Sequence, residues 1–136
     1  LSANYWSNSL ATYHDPNGLF NMDLSGGFQT AVIRTLLYSA HEYLWILPAK
    51  PASWETGSIS GIKARNKLTI ETLRWGKNEL TITLNSVIEQ DLRLRLPNNS
   101  KMVMVNGKEI KTDKQKTSAR INLKPETSVT LIIALN

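Results

Sequence analysis

Two aspartates lie among aromatics and amides early in the chain. Asp15 and Asp23 have Asn8, Asn17, Asn21 and Ser25 nearby, with Tyr5, Trp6, Tyr13 and Phe20 interspersed. Carboxylates in such company suit carbohydrate chemistry. Aromatic faces stack on pyranose rings, amides hydrogen-bond sugar hydroxyls, and a carboxylate can take a proton from water or give one to a leaving oxygen. The same residues have structural uses: Asp15 opens the turn Asp15-Pro16-Asn17-Gly18, and Asp23 caps the approach to a helix. No phosphate-cradling glycine loop, Ser–His–Asp spacing or metal motif occurs in the chain. With no cysteine and only two histidines, His14 and His41, thiol chemistry is excluded and neither a metal nor another cofactor is expected.

The four tryptophans divide by context. Trp54 follows a proline-rich stretch and reads as a plug packing that stretch against a domain face; Trp45 and Trp75 end hydrophobic segments. These three suit core or interdomain packing, with sugar stacking as the alternative. Trp6, in the loop region, fits either role equally.

These residues are carried by three zones of different periodicity. Residues 1–27 have no sustained period and contain the flexible pair Gly26-Gly27. From Phe28 to Trp45, apolar residues recur every three or four positions (Phe28, Val32, Leu36, Ala40, Tyr43), predicting a helix over 28–45 with Ser25 as N-cap. Pro48-Ala49-Lys50-Pro51 then reads as a stiff, extended linker. From about residue 58 the period becomes two. Leu68–Trp75 and Leu80–Leu84 flank Gly76-Lys77-Asn78 as a hairpin, and Leu92–Leu96 alternates strictly before Pro97. Met102–Val105 meets Asn106-Gly107, a strong hairpin signal, and Ala119–Leu123 and Val129–Ala134 follow. Seven or eight short strands at this spacing predict an antiparallel β-sandwich, so the fold class is mainly β.

Composition agrees with a packed domain: of 136 residues, 41% are hydrophobic and 20% charged. No run of about 18 apolar residues exists, so no membrane-spanning helix and no membrane partner is expected. The net charge of +5 is uneven. Residues 1–60 hold two basic and four acidic residues, −2, and residues 61–136 hold fourteen and seven, +7. The basic residues are spaced singly along alternating segments, as on the solvated face of a sheet, and no nucleic-acid partner is expected.

One long segment is recognisable. Ile46-Leu47-Pro48-Ala49-Lys50-Pro51-Ala52-Ser53-Trp54-Glu55-Thr56-Gly57-Ser58-Ile59-Ser60-Gly61-Ile62-Lys63-Ala64-Arg65 resembles the L-L-P-A-x-P-x-x-W-x-x-G-x-V-x-G-L-x-A-R segment of glycoside hydrolase family 95, the α-L-fucosidases and related α-L-galactosidases. Upstream, Phe20-Asn21-Met22-Asp23-Leu24-Ser25-Gly26-Gly27 resembles that family's F-Q-I-D-G-N-x-G, and the register from Asp23 to Arg65 needs no gap. The resemblance implies a C-terminal β-sandwich preceded by a loop and one long helix left from an (α/α)6 barrel. The expected division is residues 1–47 as the end of the barrel, 48–57 as linker and 58–136 as the β-sandwich.

It also implies inverting hydrolysis, with Asp23 as the water-activating aspartate and Trp6, His14 and Ser25 as substrate-binding residues. The acid partner would lie in barrel segments absent from this chain, leaving it inactive alone. Its implied partners are a glycan and the rest of the barrel, and its implied location is periplasmic or extracellular, with the signal peptide outside this chain. Ser25, Ala40 and Trp45 stand where the family usually has asparagine, histidine and histidine, all near the expected sugar pocket. The other use of this architecture is a non-catalytic β-sandwich that binds glycans or docks a partner.

Overall fold

In the computed structural model, residues 22–41 and 43–136 are described, with side chains from Gly26 onward. Helix α1 (Met22–Leu36) leads into ten strands: β1 (Leu37–Ser39), β2 (Tyr43–Ile46), β3 (Gly57–Lys63), β4 (Leu68–Trp75), β5 (Glu79–Ser86), β6 (Gln90–Arg95), β7 (Ser100–Val105), β8 (Lys108–Glu109), β9 (Ser118–Leu123) and β10 (Val129–Leu135). They form a four-stranded sheet in the order β1-β2-β6-β9 and a six-stranded sheet in the order β3-β4-β5-β10-β7-β8. Every pairing is antiparallel except that of β2 with β6. The fold is a β-sandwich, as the period-two segments predict.

Alternation explains the core. Leu92 and Leu94 on β6 are buried while Arg93 and Arg95, alternating with them, are exposed. Leu44, Ile46, Ile121 and Leu123 complete the inner face of the small sheet. Ile70, Leu73, Leu80, Ile82, Leu84, Val103, Leu131 and Ile133 face them from the large sheet, in one continuous apolar cluster. Burying each of these side chains stabilises the fold by about 1.5–3 kcal/mol before chain entropy is counted. Two predicted turns hold: β4 and β5 pair across Gly76-Lys77-Asn78, and β7 and β8 pair across Asn106-Gly107. Asn106 and Gly107 have φ of 47° and 80°, the left-handed pair that a tight hairpin requires.

The helix differs from its predicted span of 28–45. It runs from Met22 to Leu36, and residues 37–46 supply β1 and β2. The cause is a period ambiguity. Phe28, Val32 and Leu36 follow a helical stripe, but beyond them buried Leu37, Leu44 and Ile46 alternate with outward Tyr38, Tyr43 and Trp45. Aromatic residues alternating with aliphatic ones favour a pleated, half-buried strand. Ser25 and Gly26-Gly27 accordingly lie within the first turns of α1 rather than ahead of it.

Candidate functional site

Of the predicted site residues, Asp23 and Ser25 fall by their backbone in the first turn of α1, at its second and fourth positions. Their side chains, and the whole of Trp6 and His14, lie outside the described residues. The structure therefore describes what holds the far end of this helix.

That anchor is built from the recognisable linker. At the end of α1, the Leu36 carbonyl accepts from Leu47 N–H at 2.8 Å and the Thr35 carbonyl from Ala49 N–H at 3.1 Å. Two carbonyls that a helix terminus leaves open are thereby satisfied by the linker itself. Leu47 takes a positive φ of 52° to make this possible. The linker then folds on Trp54, whose N–H donates to the Pro51 carbonyl at 3.0 Å. The Trp54 carbonyl in turn accepts from Lys50 Nζ at 2.8 Å and from the Trp75 indole Nε1 at 3.0 Å. Trp75, at the end of β4, is buried, as expected of a core tryptophan. Trp54, the expected plug, is 37% exposed as a residue, and its carbonyl makes the tie. Gly57 completes the knot. A β-carbon there would stand 2.3 Å from a Trp75 ring carbon, so only glycine admits the indole. Lysine at position 50 and glycine at position 57 thus each have a side-chain reason at their positions in the segment.

A second grouping was not anticipated. The outer face of the four-stranded sheet carries Tyr38, Tyr43 and Trp45 beside Arg93, Arg95 and Arg120, all exposed or half-buried. Register sets them in rows: Tyr38 pairs with Trp45, Trp45 with Arg95, Tyr43 with Arg93, and Arg93 with Arg120. The Arg95 guanidinium lies 4.3 Å from the Trp45 ring centroid and 5.8 Å from that of Tyr43. The Tyr38 and Tyr43 rings are 6.1 Å apart. Alternation in Leu92–Leu96 puts Arg93 and Arg95 on one face, but the parallel pairing that brings β2 beside them leaves no local signal. His41, between β1 and β2, is exposed and lines a neighbouring cleft of about 490 Å³; its carbonyl accepts from Asn66 Nδ2.

This surface can bind and orient. Among the described residues no three His, Cys, Asp or Glu side chains gather where they could hold a metal ion. Asp113 is committed to its own loop. The Ser118 N–H, donating at 3.1 Å, is the chief influence holding its carboxyl below the usual aspartate range, with the Thr117 hydroxyl at 2.8 Å and N–H at 2.7 Å assisting.

Similarity to known proteins follows the same elements. Residues 38–133, from β1 into β10, match the model of the glycoside hydrolase family 95 C-terminal domain. Alpha-L-fucosidase 2 of Arabidopsis thaliana is 34% identical over 73 residues, which is 53% of this chain and 8% of that protein. A GH127 beta-L-arabinofuranosidase from Geobacillus stearothermophilus T6 shares the fold, with a TM-score of 0.52 and 12% identity over 78% of this chain and 17% of that one. The matched part of the chain therefore covers less than a tenth of that curated relative. Since the family match covers most of its length and begins within its first strand, the chain belongs to glycoside hydrolase family 95, of which it carries the C-terminal domain.

Proposed function

We propose that this chain is the C-terminal part of a glycosidase that releases terminal α-L-fucosyl, or α-L-galactosyl, residues from glycans by inverting hydrolysis. The supporting observation is the ungapped register from Asp23 to Arg65, joined to the 34% identity with alpha-L-fucosidase 2. Asp23 acts as the base that activates water, and Trp6, His14 and Ser25 contact the sugar. The general acid stands on barrel segments outside this chain. Inversion needs the two carboxyl groups about 6.5–9.5 Å apart, with the water between them. Having one of the two carboxylates, the chain alone turns over no substrate.

The sandwich serves position. Helix α1 joins it through its last turn, where Leu36 enters the core, while residues 26–31 remain exposed for neighbours in the rest of the barrel. The parent acts on glycans in the periplasm or outside the cell. The test uses the intact parent with a p-nitrophenyl α-L-fucoside. Asp23→Asn lowers kcat by about 10²–10⁴-fold, the usual contribution of a positioned base. Proton NMR of the first product shows the β-anomer. An undiminished rate removes Asp23 from the chemistry, and first release of the α-anomer refutes inversion.

A further inference from the structure

Beyond hydrolysis, the outer face of the four-stranded sheet has the makings of a binding site. Arg93 and Arg120 stand directly opposite each other on β6 and β9, and Arg95 follows on the same face. Like charges directly opposed on a sheet work against its stability. Among the described residues none of the three has an ion-pair partner; the ion pair there joins Lys77 and Glu55 elsewhere. Asp91, diagonal to Arg120, is the carboxylate on these two strands' outer face, and its Oδ1 accepts from Asn122 Nδ2 at 3.0 Å. Among the described residues, three guanidinium groups against one carboxylate leave the face cationic. Arg93 borders both the cleft of about 370 Å³ beside Trp45 and that of about 490 Å³ beside Arg120, so the two meet at its side chain.

The aromatic residues determine which anion fits. A guanidinium stacked on an indole keeps its in-plane N–H donors free, and that planar fork matches a carboxylate in bidentate fashion. The Arg95 guanidinium lies over the Trp45 ring, 4.3 Å from its centroid. That contact occupies a Trp45 face that a nucleic-acid base would use, and Tyr43 is flanked by Tyr38 and Arg95. Tyr38, 39% exposed at the rim, is left to meet the apolar face of a sugar ring. Arg93 and Arg95, two positions apart on one strand, are spaced by about 6.8 Å along it, suited to successive charges on one ligand. We infer that this face binds an oligosaccharide of uronic acids, its carboxylates held by Arg93, Arg95 and Arg120. The site is separate from the Asp23 chemistry and is testable without it.

Calorimetry on the full chain uses three probes: hexagalacturonic acid, its methyl-esterified form and a single-stranded thymidine hexanucleotide. Saturable binding of the uronate is expected, weakened at least about tenfold by esterification or by replacement with the nucleotide, since charge-assisted bidentate bonds are lost. Arg93→Gln and Arg95→Gln each weaken it at least about fivefold. Lys101→Gln, on the other sheet, leaves it unchanged. Arg120→Gln weakens binding yet melts no lower than the parent chain, because it relieves the opposed charges, an effect a merely structural arginine would not show. Thermal melts establish that each variant is folded. Absence of saturable uronate binding at millimolar concentration overturns the inference. So does equal binding of the nucleotide, or a loss on Lys101→Gln as large as on Arg93→Gln.

Discussion

Gly57→Ala is a sharp perturbation because its cost can be worked from three distances. The added β-carbon would stand 2.3, 2.9 and 2.9 Å from three carbons of the Trp75 ring. Carbon atoms sit comfortably no closer than about 3.5 Å, so the ring must recede by about 1.2 Å. It has little freedom to do so: Trp75 is 8% exposed and its Nε1 is fixed to the Trp54 carbonyl at 3.0 Å. Overpacking of this kind costs about 1–3 kcal/mol. Loss of the indole hydrogen bond adds about 1 kcal/mol. The sum, about 2–4 kcal/mol, lowers Tm by roughly 10 °C for a chain of this length. Near-ultraviolet circular dichroism during thermal unfolding reads it directly. The double variant separates clash from general disturbance. Trp75→Phe removes the ring atoms that collide, so in that background Gly57→Ala should cost less than about 1 kcal/mol, a strong non-additivity. A Tm within about 2 °C of the parent for Gly57→Ala alone would refute the close-packed knot, and so would additive costs in the double variant.

Loss of the Lys50 ammonium in Lys50→Met removes donors 2.8 Å from the Trp54 carbonyl and 3.1 Å from the Pro51 carbonyl, and should cost about 1 kcal/mol in urea unfolding. Because the folded carboxyl of Asp113 is held below its ordinary value, its contribution is present at neutral pH and fades as pH falls through that lowered value. Asp113→Asn should therefore lower Tm at neutral pH, with the gap to the parent chain closing as pH falls through and below the ordinary aspartate range; a gap that stays constant or widens contradicts the assignment. Leu131→Ala, at a fully buried site on β10, should cost about 2–5 kcal/mol by the same unfolding measurement.

The sandwich was legible wherever a local rule was sufficient. Asn106-Gly107 dictates its hairpin, and the Leu–Arg alternation of β6 dictates which face is buried. Legibility failed at residues 37–46, where Leu36, Leu37, Ala40 and Leu44 satisfy a helical stripe as readily as Leu44 and Ile46 satisfy a strand. What decides there is distant: β2 gains a parallel partner in β6, from Tyr43 opposite Arg93 to Trp45 opposite Arg95. No window of neighbouring residues contains that partner. The arginines illustrate the same limit. As a solvated face they were expected and are exposed, but their company with Tyr43 and Trp45 exists only through the pairing of strands some fifty residues apart. Asp23 is the opposite case: its motif alone proposes a role in the chemistry, since a lone carboxylate before a helix has the same local signature whether it caps or catalyses.

With Asp23 as the proposed base, the linker knot gives the β-domain a consequence for the chemistry. Asp23 stands thirteen residues from Leu36, about 20 Å along the axis at 1.5 Å per residue. The end of α1 that the structure fixes is the Leu36 end, through the Leu47 and Ala49 amides and the packing of Leu36 itself. A tilt of about 5° at that anchor would carry the other end through about 1.7 Å over this length. Misplacement of a catalytic group by about 1 Å can cost about a hundredfold in rate. With Asp23 as the base, substitutions in the knot should therefore depress kcat in the intact parent at temperatures where it remains folded, while leaving the pH profile of the reaction unshifted. A variant such as Gly57→Ala that is folded, melts lower and yet retains full kcat would show that the barrel positions Asp23 unaided.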